Sequence, residues 1–203
     1  MSEPVDKQTN TRPKNGRVFL SRFYSPDARR ITLKPTADLP AHLIFWLSSA
    51  AGLTLDLWTK SAVFKYLQSG HINGISVING FLQIVRTENT GAAFGIASGM
   101  YRFLTAVSFV ALIIVLLIFL FGRVKCSSFY LAMGFLAAGI SGNLYDRIFN
   151  NGRVRDFIDV VYWPGRHWPA FNVADSLLCI AVGIILFLSF TGKLYQKRGQ
   201  QQK

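Results

Sequence analysis

The amino-acid sequence predicts an all-α polytopic membrane protein with four transmembrane helices and a small extracytoplasmic β-rich element between helices one and two. Charged residues make up only 16% of the 203 residues, whereas a soluble domain usually contains about 25%. Four windows approach the roughly 20 apolar residues that a helix needs to cross a bilayer. The connections between these windows are alternately rich and poor in Lys and Arg, which is typical of a chain that crosses a membrane repeatedly.

The four predicted spans are residues 39–58, 101–121, 129–145 and 171–190. The second is the most apolar, because 106–121 contains no ionisable residue. The connection 122–128 has the length of a loop that joins antiparallel helices. The third span is rich in glycine, with Gly134, Gly139 and Gly142, so we expect it to pack closely against its neighbours.

The distribution of Lys and Arg predicts the orientation of these spans. Segments 1–38, 122–128 and 191–203 contain eight, two and four Lys or Arg residues, whereas connections 59–100 and 146–170 together contain seven. Positively charged connections stay on the cytoplasmic side. Both termini and the 122–128 loop are therefore predicted to be cytoplasmic, and the two longer connections extracytoplasmic.

The chain divides into three predicted parts. Residues 1–38 are polar and lack helical periodicity, which predicts a disordered basic cytoplasmic tail, and no cleavable signal peptide is recognised there. Residues 39–192 form the four-helix membrane domain, and 193–203 form a second basic cytoplasmic tail. Within the membrane domain, 68–96 alternates apolar and polar residues between glycines, which predicts short strands and turns.

The composition excludes several kinds of protein. Two cysteines, Cys126 and Cys179, cannot build a disulfide framework. The three histidines, at 42, 71 and 167, are too widely spaced for a zinc site. Although Lys and Arg number 22 against 10 Asp and Glu, a basic nucleic-acid-binding domain lacks long uncharged apolar runs. We therefore expect no metal and no nucleic-acid partner.

Ionisable residues at the outer ends of the spans are the candidate functional groups, since such residues are costly near a membrane. Asp56 is followed one turn later by Lys60, and an i,i+4 ion pair at the interface is the structural alternative for this pair. Asn143 and Arg147 share a helix face, and Asp146 lies beside them. A charge cluster at a helix end is common, so these residues alone do not define a function.

Asp175 lies four residues into the last span, where a carboxylate must be paired, hydrated or protonated. An ion pair with Arg147 or Arg155 is the structural alternative. If the stretch containing Asp156 folds back over the start of this span, the two carboxylates meet and titrate as a coupled pair. An ionised carboxylate can then activate water while its protonated partner polarises a carbonyl, as in an aspartyl hydrolase.

Five stretches, taken together, resemble bacterial lipoprotein signal peptidase, also called signal peptidase II. They follow one another in the order known for that family and span about residues 40–190. The stretches are DLWTK at 56–60, ENTGAAFG at 88–95, AGISGNLYDR at 138–147, VRDFIDVVYWP at 154–164 and FNVADS at 171–176.

The resemblance implies a role for each matching residue. Asp156 and Asp175 correspond to the catalytic aspartate dyad. The substrate-binding positions that it implies are Asp56, which supports the site, Asn89 and Gly91 in an outer loop that holds the substrate backbone, and Asn143, Arg147 and Asn172, which line the site. Arg147 corresponds to a donor to a substrate carbonyl, while Asp146 and Asp159 are interpreted as structural groups.

The resemblance further implies an aspartic endopeptidase that removes the signal peptide from diacylglyceryl-modified prolipoproteins. Cleavage falls just before the lipid-modified cysteine, and no cofactor is required. The expected location is the bacterial cytoplasmic (inner) membrane, with the active site at the extracytoplasmic face. The expected partners are the prolipoprotein substrates and membrane lipid, and we expect the protein to be a monomer.

Two other functions use residues of the same kinds. A proton-coupled transporter or channel also uses intramembrane carboxylates, but it is expected to place them near the midplane and to contain inverted repeats. No internal repeat is present in this sequence. A structural membrane protein would use the same residues only for salt bridges, and it would tolerate replacement of Asp156 or Asp175 by Asn.

Overall fold

The computed structural model describes residues 37–91, 99–122, 124 and 126–194. Almost all of the predicted N-terminal tail 1–38 lies outside the described residues, as does most of the predicted tail 193–203. Two loop positions, Arg123 and Lys125, and the segment 92–98 lie outside them as well.

Four helices occupy the four windows predicted from the sequence. They are α1 (Leu39–Ser69), α2 (Tyr101–Phe121), α3 (Ser127–Phe149) and α4 (Val173–Phe190). Helix α1 has 31 residues, so it is about 46 Å long and exceeds a hydrocarbon core of about 30 Å. The predicted window 39–58 covers only the apolar part of this helix, because its polar last turns carry no apolar signal.

Two of these helices have the length and apolar composition of membrane spans. They are α2, with a mean hydropathy of 3.1, and α4, with a mean hydropathy of 2.4. Large apolar side chains of α2, including Phe103 and Phe109, are more than half exposed, as expected for a surface that faces lipid. Helices α1 and α3 instead carry the buried polar residues of the bundle, among them Asp56, Lys60 and Asn143.

Helix α3 is the centre of the bundle and packs against the other three helices. Small residues allow the close approach that the sequence predicts. A Cβ atom added at Gly139 would lie 2.6 Å from the carbonyl oxygen of Ala174 in α4, and one added at Gly134 would overlap the Ser48 hydroxyl of α1. Gly52 of α1 in turn lies against Ala138 of α3. Backbones therefore touch where side chains would otherwise separate the helices.

Aromatic rings fill the bundle at the end where α1 and α3 begin. Phe45 of α1 stacks on Phe119 of α2 with ring centroids 3.8 Å apart, and Tyr130 of α3 meets Phe119 edge to face at 6.1 Å. The Tyr130 hydroxyl donates to the carbonyl oxygen of Val124 at 2.6 Å, which satisfies its polar end. This cluster joins three helices at the end of the bundle opposite to the sheet.

A four-stranded antiparallel sheet covers the other end, where α1 and α3 finish and α2 and α4 begin. Its strands are β1 (Gly74–Ile78), β2 (Leu82–Asn89), β3 (Val154–Trp163) and β4 (Arg166–His167), in the order β1-β2-β3-β4. The prediction of strands within 68–96 is confirmed. The prediction that the β-rich element lies only between helices one and two is incomplete, because β3 and β4 come from the connection between α3 and α4.

The pairing of β2 with β3 brings the two outer connections together. Thr87 pairs with Asp156, Glu88 with Arg155, and Asn89 with Val154, after a register shift between Ile84 and Thr87. Strand β3 also pairs with the residue before α4, because Ile158 and Phe171 exchange two backbone hydrogen bonds of 2.8 and 3.0 Å. The sheet therefore fixes Asp156 relative to the start of α4.

We expect the α3–α4 contact to be sensitive to a single methyl group. Gly139→Ala should lower the thermal unfolding midpoint in detergent, by a destabilisation of about 1–3 kcal/mol, since the new Cβ meets backbone that cannot rotate away. Gly183→Ala in α4 is the matched control, because nothing lies within 4 Å of its added Cβ. An equal loss in both variants would contradict this packing.

Candidate active site

A hydrogen-bonded cluster of buried polar side chains lies at the sheet end of the bundle. Its members come from α1, α3, β3 and the start of α4. Six are at least nine-tenths buried, and these are Asp56, Lys60, Asn143, Asp146, Asp156 and Asn172. Polar groups in such a place need partners, and their partners are mainly one another.

The start of α4 places Asp175. Asn172 is the N-cap of this helix, and its Oδ1 accepts from the Asp175 backbone N–H at 3.0 Å. The Asp175 Oδ2 accepts in return from the Asn172 backbone N–H at 3.3 Å. This capping box explains why the helix begins at this point. It also fixes the Asp175 carboxylate in the first turn, where the helix dipole favours a negative charge.

Asp156 lies on β3 and is 2% exposed. The Nδ2 of Asn172 donates to its Oδ1 at 2.7 Å, so one asparagine contacts both aspartates. Asn143 completes the connection, because its Nδ2 donates to Asp175 Oδ1 at 2.8 Å and its Oδ1 accepts from Asn172 Nδ2 at 3.1 Å. The fold-back considered for the sequence thus occurs in the structure, and it brings Asp156 and Asp175 to one site.

The pKa of Asp156 is raised from its ordinary value to about 7. Burial is the main cause, and the neighbouring charge of Asp175 adds to it. Hydrogen bonds from Asn172 and Asn89 and the positive charge of Lys60 act in the opposite direction. A carboxyl group with a pKa near neutrality can both hold and release a proton under ordinary conditions, as a general acid or base requires.

Asp56 is fully buried and does not contact either aspartate of this pair. Its Oδ1 accepts from the backbone N–H of Ala174 at 2.8 Å, and its Oδ2 lies 2.8 Å from Lys60 Nζ. The first contact satisfies a free N–H in the first turn of α4. The second confirms the i,i+4 ion pair considered for the sequence. Gly142 of α3 lies against the Asp56 carboxylate, where a Cβ would overlap Oδ2.

The arginines considered as partners of Asp175 have other contacts. Arg155 donates from Nη2 to Asp146 Oδ1 at 2.6 Å, and its backbone N–H donates to Asp146 Oδ2 at 3.0 Å. Arg147 donates to the carbonyl oxygens of Asn143 and Gly91 at 3.3 and 3.5 Å. Among the ion pairs of the described residues, neither arginine is joined to Asp175.

A cavity of about 410 Å³ opens beside Asp156. The residues that line it, besides Asp156, are Thr87, Glu88, Asn89, Thr90, Pro169 and Ala170. The Asn89 side chain also accepts from the Gly91 backbone N–H at 2.9 Å, which forms a tight turn at the end of β2. The rest of the ENTGAAFG stretch, residues 92–98, lies outside the described part of the chain.

Sequence reasoning missed several parts of this site. The cavity residues Thr87, Pro169 and Ala170 carry no chemical signal, and they are placed beside Asp156 only by the pairing of β2 with β3 and of Ile158 with Phe171. Lys60 was considered only as a partner of Asp56, but it also contacts Asp146 at 3.2 Å. No group of three or more His, Cys, Asp or Glu side chains that could hold a metal occurs in the described ranges of the chain.

The chain is similar to known proteins over most of its length. Residues 48–191 match the model of the family described as Signal peptidase (SPase) II. A relative from Geobacter metallireducens, named lipoprotein signal peptidase, is 37% identical over 149 residues, which cover 72% of this chain and 90% of the relative. A relative of the same name from Rhodopirellula baltica is 33% identical and covers 82% of each chain.

A solved structure also matches. It is described as a bacterial membrane enzyme, and it superposes with a TM-score of 0.63 at 29% sequence identity. The match covers 82% of this chain and 97% of that structure. A second bacterial membrane enzyme matches with a TM-score of 0.59 at 30% identity. Together with the family match, these similarities show that this chain belongs to the signal peptidase II family and is a membrane-bound aspartic peptidase.

Proposed function

We propose that this protein removes the signal peptide from diacylglyceryl-modified prolipoproteins by hydrolysing the peptide bond just before the lipid-modified cysteine. Asp156 and Asp175 are the catalytic dyad of this proposal. The main support for this proposal is the arrangement of the two carboxylates, one from β3 and one from α4. Asn143 and Asn172 link them through hydrogen bonds, and a cavity lies beside Asp156. Membership of the signal peptidase II family supports the choice of substrate.

In this proposal the dyad enters the reaction with one shared proton. The ionised carboxylate takes a proton from water as the oxygen attacks the scissile carbonyl carbon, and the protonated carboxyl donates to the carbonyl oxygen. A tetrahedral diol forms without a covalent bond to the enzyme. It collapses when one carboxyl group protonates the leaving nitrogen and the C–N bond breaks, while the other carboxylate takes a proton from a hydroxyl group of the diol, so the dyad again holds one proton. Which aspartate holds that proton is a property of the coupled pair.

The remaining site residues bind the substrate or support the dyad. Arg147 lies close enough for its charge to interact with both dyad aspartates, so its guanidinium is suited to donate to a substrate carbonyl. Asn89 lines the cavity and hydrogen-bonds to Asp156, and Gly91 follows in the same turn. Asn143 and Asn172 hold the two carboxylates, and Asp56 supports the start of α4.

We also propose that all four helices of the membrane domain, 39–192, span the bacterial inner membrane. The termini are then cytoplasmic, and the site faces the extracytoplasmic side, as the distribution of Lys and Arg favours. The polar cluster lies at one end of the bundle, at the junction with the sheet, which a midplane transport site would not explain. A lipid-anchored substrate would reach it by lateral diffusion, and the enzyme would act as a monomer.

Replacement of either dyad residue tests the proposal. Asp156→Asn and Asp175→Asn should each lower cleavage of a diacylglyceryl-modified prolipoprotein by at least about 10²-fold, the smallest effect usual for a general acid or base. The assay uses purified protein in detergent, with a chelator present in every arm. Asp159→Asn is the matched control, since Asp159 lies on the same strand but pairs with His167 at 2.8 Å. It should retain most of the activity.

Cleavage near the parent rate by either dyad variant would show that the dyad is assigned incorrectly. An effect of the chelator on the parent enzyme would show that the reaction depends on a metal ion, against the proposed mechanism. Thermal unfolding of each variant separates loss of chemistry from loss of fold.

The raised pKa of Asp156 also predicts a pH-dependent stability. Between pH 3.8, the ordinary pKa of an aspartate, and about pH 7, Asp156 is ionised in the unfolded chain but keeps its proton in the folded chain. The free energy of unfolding therefore falls as pH rises through this range. Asp156→Asn cannot ionise and escapes this loss. The difference between the thermal midpoint of this variant and that of the parent should therefore be more positive at pH 8 than at pH 5. A constant difference across this range would contradict the raised pKa.

A further inference from the structure

Lys60 of α1 is fully buried, and its ammonium nitrogen lies close to three oxygen atoms. Its Nζ lies 2.8 Å from Asp56 Oδ2, 3.2 Å from Asp146 Oδ2 and 3.1 Å from Asn143 Oδ1. The two carboxylates compensate the buried positive charge. The third contact is not needed for charge balance, and it leads to the asparagine that holds Asp175.

The contact with Lys60 determines which way the Asn143 amide faces. An ammonium group has donors and no acceptor, so the atom of Asn143 that faces Lys60 must be the oxygen. The NH₂ group must then face Asp175, to which it donates at 2.8 Å. With the amide reversed, an NH₂ group would meet the ammonium, and a carbonyl oxygen would meet the carboxylate of Asp175.

The second asparagine is oriented in the same way by a different donor. Asn172 Oδ1 accepts from the backbone N–H of Asp175, which also cannot accept a hydrogen bond. Its NH₂ group therefore faces Asp156 Oδ1 and Asn143 Oδ1. Both carboxylates of the dyad thus receive an N–H donor from an amide whose orientation is fixed by a group that only donates.

We propose that Lys60 is a positioning residue of the active site, whose ammonium group holds the Asn143 amide with its NH₂ group toward Asp175. This inference rests on the proposed function, because it assigns Lys60 a role in preparing the dyad. Lys60 is 0% exposed and cannot contact a substrate. Its effect on catalysis passes through Asn143 and through its own charge, which favours the ionised form of Asp156.

The alternative role for Lys60 is to stabilise the contact between α1 and α3 through its two ion pairs. The two roles differ in their effect on the pH dependence of the rate. The charged residues near the dyad are Lys60 and Asp56 from α1, Arg147 and Asp146 from α3, Glu88 from β2 and Arg155 from β3. Removal of the Lys60 charge makes an ionised dyad less favourable, so the profile of kcat against pH should move to higher pH. Loss of packing would lower kcat by the same factor at every pH.

The experiment compares pH profiles of kcat for Lys60→Gln, Lys60→Arg and the double variant Asp56→Asn with Lys60→Gln. The double variant removes one charge of each sign, so it keeps the buried cluster balanced if the single variant unfolds. We expect kcat at pH 7 to fall about 10–100-fold in both Gln variants. The profile of Lys60→Gln should move to higher pH by half a unit or more, and that of the double variant should move in the same direction by less, because it also loses a negative charge. Lys60→Arg keeps the charge and the donors, and its profile should stay at the parent pH.

Two controls make the result specific. Lys65→Gln removes an exposed lysine from the same helix and should leave rate and profile unchanged. Asp56→Asn removes a negative charge and should not move the profile to higher pH. An unmoved profile in the folded Gln variants, with activity reduced equally at every pH, would overturn the positioning role. If the parent enzyme does not cleave, or cleaves without the dyad, the proposed function fails instead.

Discussion

The arrangement of the site depends on the hydrogen-bonded pair of asparagines, Asn143 and Asn172. Their amides meet at 3.1 Å, and each donates from its NH₂ group to one of the two aspartates of the proposed dyad, Asp175 and Asp156. Asp156 is buried and Asp175 is partly buried, so their carboxylates repel each other and lose solvation and need donors that cannot turn away. Asn172 is also the N-cap of α4. The residue that begins the helix therefore also joins the helix to Asp156, through its Nδ2.

The rest of the fold serves to bring these groups together from distant parts of the chain. Helix α3 touches all three other helices because its glycines let backbones meet, and it carries Asn143 into the centre. Helix α1 contributes Asp56, which accepts from the first turn of α4, and Lys60, which neutralises the cluster. The sheet supplies Asp156. The polar residues that make α1 and α3 less apolar than α2 and α4 include those that build the site, Asp56, Lys60, Asn143 and Asp146.

Much of this arrangement could be predicted from the sequence. Apolar runs indicate the four helices, carboxylates at the ends of these runs indicate Asp56 and Asp175, and the resemblance to the family indicates Asp156 in the connection 146–170. Two features could not be predicted. The pairing of β2 with β3 joins residues about 70 positions apart, and local patterns carry no information on such contacts. The three contacts of Lys60 depend on the packing of α1 against α3, whereas its spacing from Asp56 suggested only an ion pair.

The proposed mechanism requires that one carboxyl group of the Asp156–Asp175 pair is protonated near neutral pH. Infrared difference spectroscopy of the purified protein, titrated from pH 5 to pH 9, tests it most directly, since a protonated carboxyl group has its own carbonyl band. We expect a band that is lost as pH rises through about 7, the pKa of Asp156, and that is absent or moved in both Asp156→Asn and Asp175→Asn. A band that titrates identically in the parent and in both variants would contradict it.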